Sequence, residues 1–249
     1  MIADPLFYLA AIPAVILVGL SKGGFSGVGS LALPVMALAI SPVEGAAILL
    51  PLMLFQDAVG AWAFRRDWDG GILAVMLPGA AAGTLLGYLL VRHVSVDAVL
   101  FALGFISLLF ALHRLWVERH GAIVAPSTSP GWVGALFGLL SGFASQIALA
   151  GGPPFQMWVA PRRLPPAVLA GTTALFFAAI NWMKVPAFAA LGQFSGSGLL
   201  TSATLLPVAL ASTMAGVWLV RRIDPTRFYR LIYMLMAAVG LRLMWSALA

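Results

Sequence analysis

The sequence predicts an all-α polytopic membrane protein on three observations: apolar residues dominate, they cluster in bilayer-length runs, and charge is confined to the gaps between runs. Of 249 residues, 62% are hydrophobic and 9% charged, and mean hydropathy is +1.03. An ordinary soluble domain carries roughly 25% charged residues. A hydrocarbon core about 30 Å thick needs about 20 apolar residues in helical form, and the runs have that length. A membrane barrel would instead alternate apolar and polar residues over segments of about ten, and no segment does so. The chain has no cysteine, which excludes disulfides, thiolate metal sites and thiol catalysis.

The N-terminus, Met1-Ile2-Ala3-Asp4-Pro5, carries an acid and no Lys or Arg before the first apolar run. It lacks the basic n-region of a signal peptide, so the first segment is expected to stay in the mature protein. Uninterrupted spans are predicted at about 42–64, 72–92, 96–116, 164–190, 197–220 and 226–247. Two other stretches, about 6–40 and about 131–160, are too long for one span. Each is interrupted near its middle, by Ser21-Lys22-Gly23-Gly24 and by Gly151-Gly152-Pro153-Pro154. The pieces flanking the first break would be roughly 21–24 Å long, short for a bilayer. Irregular backbone at membrane depth is tolerated only where protein or a water-filled cavity covers it, so each break is expected to line a cavity. Pro153 suits the first turn of a new helix, where its missing N–H leaves no bond unmade.

Charge placement chooses the topology. The basic residues sit at the ends of apolar runs, as in Arg65-Arg66, Arg162-Arg163 and Arg221-Arg222, which reads as cytoplasmic anchoring and not as nucleic-acid binding. If every stretch crossed fully from an inside N-terminus, Arg92, Arg162, Arg163, Arg221, Arg222, Arg227 and Arg230 would lie outside, inverting the positive-inside rule. If the two broken stretches dip in and return, only Arg92 and Arg242 lie outside. The second topology is preferred. It makes residues 1–249 a single transmembrane domain of two inverted repeats, approximately 1–120 and 130–249, each a broken re-entrant hairpin plus three transmembrane helices. Trp62, Trp68, Trp116, Trp132, Trp218 and Trp245 fall at or near span ends as an interfacial belt should. Trp158 and Trp182 do not, and are read as packing residues.

Two motifs carry a resemblance. The first half holds Gly19-Leu20-Ser21-Lys22-Gly23-Gly24-Phe25-Ser26-Gly27-Val28-Gly29-Ser30, then Pro34, then Ser41-Pro42 leading into a span that ends Phe64-Arg65-Arg66. The second holds Ser141-Gly142-Phe143, then Gly151-Gly152-Pro153-Pro154, then Gly171-Thr172-Thr173 with Asn181 and Lys184 in the next span. In this order the chain resembles the TauE/SafE family of sulfite and organosulfonate exporters along nearly its whole length. Gly29-Ser30-Leu31 departs from the further glycines the family often has there. The resemblance implies a plasma-membrane permease exporting sulfite, sulfoacetate or a related anion.

The residues themselves point to an anion. Helix ends exposed at mid-membrane offer unpaired N–H groups and a favourable dipole to anions. Gly23, Gly24, Gly27, Gly151 and Gly152 would admit close backbone approach, or serve only to pack helices. Ser21, Ser26 and Ser145 could add hydroxyl donors. Lys22, in the first break, is a functional candidate because ionisable groups at membrane depth are costly; the alternative is snorkelling to an interface. Lys184 has the same two readings. Asp57, well inside a span beside Gln56, could carry a proton, pair with Lys22, or join helices by hydrogen bonding. Gln156, Thr172, Thr173 and Asn181 could line the second cavity or bond to neighbouring helices.

The expected function is therefore alternating-access export of a small anion across the bacterial inner membrane, with proton coupling through Asp57 left open. The expected partners are that anion and membrane lipid, without nucleic acid or cofactor; a homodimer is left open. A permease for another anion is the alternative. An intramembrane enzyme is disfavoured because His93, His113 and His120 lie at span ends without metal-ligand spacing, and no nucleophile–base pair stands out.

Overall fold

In the computed structural model, residues 2, 4–25, 28–91, 93, 95–119 and 128–248 are described. Every regular element among them is helical: α1 (Pro5–Lys22), the 3-10 turn Val28–Leu31, α2 (Ala32–Met36), α3 (Pro42–Ala63), α4 (Gly70–Leu90), α5 (Val96–Arg119), α6 (Gly131–Ala148), α7 (Gly152–Val159), the 3-10 turn Ala160–Arg162, α8 (Pro166–Ala190), α9 (Gly196–Val220) and α10 (Pro225–Leu248). Helices α1, α3, α4, α6, α8, α9 and α10 are long and apolar enough to cross a membrane, and α5 holds a shorter apolar stretch, Leu100–Trp116. Large apolar side chains, Leu6, Leu89, Phe105 and Leu200 among them, are exposed on the outside of the bundle. Such a surface is stable against lipid and not against water. The protein is a multi-pass membrane protein.

Local sequence sets the helix starts. Asp4, Ser41, Asp69 and Ser195 accept hydrogen bonds from the backbone N–H of Leu6, Glu44, Ile72 and Gly198 at the starts of α1, α3, α4 and α9, satisfying donors that a helix leaves unpaired. Prolines occupy the first turns of α1, α3, α7 and α8, where their fixed φ suits the helix.

Glycine then sets how closely helices approach. Gly79, Gly83 and Gly87 on α4 recur every four residues, as do Gly134, Gly138 and Gly142 on α6. An added Cβ at Gly79, Gly83, Gly138 or Gly142 would collide with the partner helix's backbone. These two small-residue stripes let the backbones touch, the means by which helices associate where lipid removes the hydrophobic drive. Gly19 and Gly23 on α1 meet Ser212, Thr213 and Gly216 on α9, and Gly104 on α5 meets Gly240 on α10, in the same way. Helix α3 packs on both α8 and α9, and α8 on both α3 and α4.

Both broken stretches are hairpins. The Ile2 N–H donates to Thr201 Oγ1 at 3.0 Å, near the start of α9, while Gly24 lies against Val220 at its end. Helix α1 therefore runs beside nearly all of α9. The chain then returns, because Met36 and Leu33 of α2 lie against Gly45 at the start of α3. In the second stretch α6 runs alongside α4, with Gly138 on Met76, Gly142 on Ala80 and Gln146 on Gly87. It too returns: Trp158 lies on Gly134, and Arg162 Nη2 donates to the Ser129 carbonyl at 3.0 Å. The hairpins start from opposite ends of the bundle.

Two expectations about the elements are corrected. The first break was expected to separate pieces of roughly 21–24 Å, but α1 has 18 residues, about 27 Å at 1.5 Å per residue. Its return arm is short, only the 3-10 turn and the five residues of α2. The arms are unequal because Ser21 and Lys22 continue the helix and only Gly23 and Gly24 end it. Gly24 has φ +127°, which L side chains rarely adopt. Around it the Phe25 N–H reaches the Leu20 carbonyl at 3.0 Å and the Gly24 N–H reaches Ser21 at 3.2 Å, the paired bonds of a Schellman ending. The second hairpin turns on Leu149, at φ 53°, a conformation costing a non-glycine residue about 1 kcal/mol or more. Trp182 is a second correction: it is exposed on the outer surface and does not pack inside, whereas Trp158 is buried.

Candidate functional site

The two breaks meet. A cavity of about 40 Å³ is lined by Ser21, Lys22, Gly29 and Ser30 from the first, Ser145, Leu149 and Gly152 from the second, Leu49 and Met53 from α3, and Thr173 and Phe177 from α8. The helical repeat explains which side chains gather there. Leu49, Met53 and Asp57 succeed one another at i, i+4 and i+8 on α3, and Thr173, Phe177, Asn181 and Lys184 share one stripe of α8.

Three ionisable side chains are buried around this cavity. Lys22 is 6% exposed, Asp57 1% and Lys184 0%, so neither lysine snorkels to an interface. Lys22 Nζ lies 2.6 Å from Asp57 Oδ1 and 5.3 Å from the centre of the Phe177 ring, whose face attracts a cation. Asn181 Nδ2 donates to Asp57 Oδ2 at 2.6 Å. Asp57 is thus held by both halves of the chain. Lys184 Nζ donates to Ser145 Oγ at 3.1 Å, and among the described residues it has no carboxylate partner. Of the two buried amines, only Lys22 is therefore paired with the buried carboxylate.

The other candidates divide between the cavity and the packing that frames it. Gln56 Nε2 bonds to the carbonyls of Val15 and Ala209 at 3.4 and 3.3 Å, tying α3 to α1 and α9. Ser141 Oγ donates to the Gly151 carbonyl at 2.7 Å, so Gly151 serves the turn while its neighbour Gly152 lines the cavity. Gly23 and Gly24 pack against α9 and α8 and do not line it. Thr172 also lies elsewhere: its hydroxyl donates to Val168 and accepts from the Asp69 N–H, joining α8 to the start of α4. Thr173 lines the cavity although its hydroxyl is spent on the Leu169 carbonyl at 2.7 Å. Gln156 is fully buried on α7, and neither end of its amide has a partner. Ser26 and Gly27 lie outside the described residues.

Sequence reasoning passed over Ser30, Phe177 and Leu149 as site residues. Phe177 was within reach, being four residues from both Thr173 and Asn181 on a helix. Ser30 and Leu149 were not, because their places depend on where each return arm begins.

The chain matches the family described as "Sulfite exporter TauE/SafE" over residues 11–243. No curated protein matches it, and no solved structure does. The matched range takes in both hairpins, the cavity between them and every helix that frames it, and the chain belongs to the TauE/SafE sulfite exporter family of membrane transporters.

Proposed function

We propose that the protein is a secondary transporter that exports a small anion, sulfite, sulfoacetate or a related organosulfonate, across the bacterial inner membrane by alternating access. The observation that carries this reading is the make-up of the core, where two buried amines, Lys22 and Lys184, lie near one buried carboxylate, Asp57, which pairs with Lys22 alone. With Lys22 and Lys184 both protonated and Asp57 ionised, one positive charge is uncompensated. Burying a charge without its counter-ion costs several kcal/mol. An oxyanion between the two amines and the hydroxyls of Ser21, Ser30 and Ser145 would supply both the missing charge and the missing acceptors.

Size favours the smallest candidates. Space of about 40 Å³ holds roughly three waters at 10–15 Å³ each, which suits an ion with four heavy atoms such as sulfite. Sulfoacetate would need the cavity to open. Gly152, which opens α7 and lines the cavity, offers one backbone N–H on the same side as Ser145, since Pro153 and Pro154 carry none and the Phe155 N–H already donates to the Gly151 carbonyl.

Alternating access is supported by the way the elements pair. Matching α1–α5 to α6–α10 in order turns the α1–α9 contact into α6–α4 and the α3–α9 contact into α8–α4, while α3–α8 and α5–α10 map onto themselves. Hairpins that start from opposite ends agree with an inverted relation between the halves, the architecture in which two repeats rock around a shared site. The end carrying Arg65, Arg66, Arg162, Arg163, Arg221 and Arg222 is assigned to the cytoplasm by the positive-inside rule. An inside-negative potential then favours anion exit by about 2.3 kcal/mol per charge per 100 mV. Asp57 gives a route to proton coupling, because an arriving anion competes for Lys22 and frees the carboxylate to take a proton.

Flux of labelled sulfite and sulfoacetate into proteoliposomes tests this reading. Saturable sulfite flux, lost in Lys22→Gln, is expected. Absence of saturable flux for every sulfur oxyanion contradicts the substrate assignment.

A further inference from the structure

A second donor-rich pocket lies at the basic end of the bundle. It has a volume of about 350 Å³ and is lined by Phe110 and Arg114 of α5, Ser129, and Met157 and Trp158 of α7. Two of its lining residues, Arg114 and Trp158, hold buried donors that lack acceptors. Trp158 is 4% exposed, and its Nε1 is buried without a hydrogen-bond partner, as are Nε and Nη2 of Arg114. Arg162 stacks on Trp158 with its guanidinium 3.8 Å from the ring centre and has a buried, unpartnered Nε. Among the described residues no carboxylate pairs with Arg114 or Arg162. Each such donor costs about 1–3 kcal/mol when left unmade, and arginine forks are matched by oxyanions.

We propose that this pocket is a second oxyanion-binding site, in which Arg114 and the Trp158 indole N–H hold the anion and the Arg162 guanidinium adds field from behind the indole ring. Resting on the transport reading above, it serves as the loading site for the central cavity. Helix α7 joins the two places: Gly152 at its start lines the central cavity and Trp158 near its end lines this one, about 9 Å further along the axis at 1.5 Å per residue. The opposite end of the bundle is built differently. Arg242 lines a pocket of about 570 Å³ there, but in company with Asp97, and its Nη1 is already bonded to Ser246 at 2.7 Å. An anion is held more weakly at that end, which suits release.

The oxyanion can be the free substrate or the phosphate of an anionic lipid. Equilibrium binding of labelled sulfite to the full chain in phosphatidylcholine nanodiscs, with and without phosphatidylglycerol, separates the two. A free-oxyanion site gives two equivalents of bound sulfite in wild type and one in Arg114→Gln. Trp158→Phe, which keeps the ring and loses one donor, weakens the Arg114-dependent component about tenfold. A lipid-filled site gives one equivalent, with phosphatidylglycerol retained through purification by wild type and released by Arg114→Gln. Either pattern supports the site. Arg114→Gln and Trp158→Phe binding both sulfite and phosphatidylglycerol as wild type does, with unchanged melting, overturns it. Arg114→Lys, which keeps charge and loses the fork, guards against loss through misfolding: wild-type binding by this variant and by Trp158→Phe also overturns the site. Failure of the central site is distinguishable, since sulfite would then bind wild type only through the Arg114-dependent component, and Lys22→Gln would leave that component unchanged.

Discussion

At the scale of residues, Lys22, Asp57 and Lys184 differ in what their removal should do. Lys22 and Asp57 are a buried pair, and deleting one partner of such a pair strands the other at a cost of about 3–5 kcal/mol, whereas neutralising both is far less harmful. Lys22→Met should therefore lower the melting temperature of the purified protein by several degrees, and Lys22→Met/Asp57→Asn should recover most of that loss while remaining transport-dead. Additive losses in the double variant would contradict the pairing. Lys184 has a hydroxyl for a partner and, among the described residues, no acid, so Lys184→Met removes a buried amine that lacks a counter-ion. Its melting temperature should hold or rise as flux disappears, a trade of stability against function familiar at active sites. A fall as large as that of Lys22→Met would show that Lys184 stabilises the fold and does not wait for an anion.

At the scale of elements, the helix contacts that frame the cavity depend on glycine stripes. Gly83 faces the Leu139 carbonyl with no room for a side chain, whereas Gly196 meets nothing. Gly83→Val should force α4 and α6 apart and cost a few kcal/mol, as overpacking does, while Gly196→Ala should leave the melting curve unchanged. Equal melting of the two variants would contradict the close α4–α6 approach. These stripes also explain what the sequence could and could not disclose. The breaks were legible, because Gly-Gly and Pro-Pro pairs interrupt otherwise continuous apolar runs. The use of each small residue was not, since Gly23, Gly151 and Gly152 look alike in sequence. Which one packs, which turns and which lines a cavity depends on the rotation and end point of its helix. Thr172 and Thr173 differ for the same reason: adjacent residues on a helix point about 100° apart, and only the second faces the cavity.

At the scale of the molecule, the chain's lack of cysteine makes topology directly measurable. Single cysteines at the exposed positions Ala39, Thr128, Ser197 and Arg222, probed in intact cells with a membrane-impermeant maleimide, should divide cleanly. Ala39→Cys and Ser197→Cys should label from outside, and Thr128→Cys and Arg222→Cys only after permeabilisation. Labelling of Arg222→Cys from the same side as Ala39→Cys would mean that the second broken stretch crosses the membrane. The overall architecture was legible at this scale because rare charges mark the ends of apolar runs. The unequal hairpin arms were not, because apolar residues continue on both sides of each break and do not mark where a helix stops.

The most direct measurement is a structure determined with selenite, whose selenium scatters anomalously and whose shape is that of sulfite. An anomalous peak within hydrogen-bonding distance of Lys22 and Ser145, with Lys184 turned toward it, is expected. A central cavity left empty under saturating selenite, with the Lys22–Asp57 pair undisturbed, would contradict the proposal that the two hairpins meet to hold an anion.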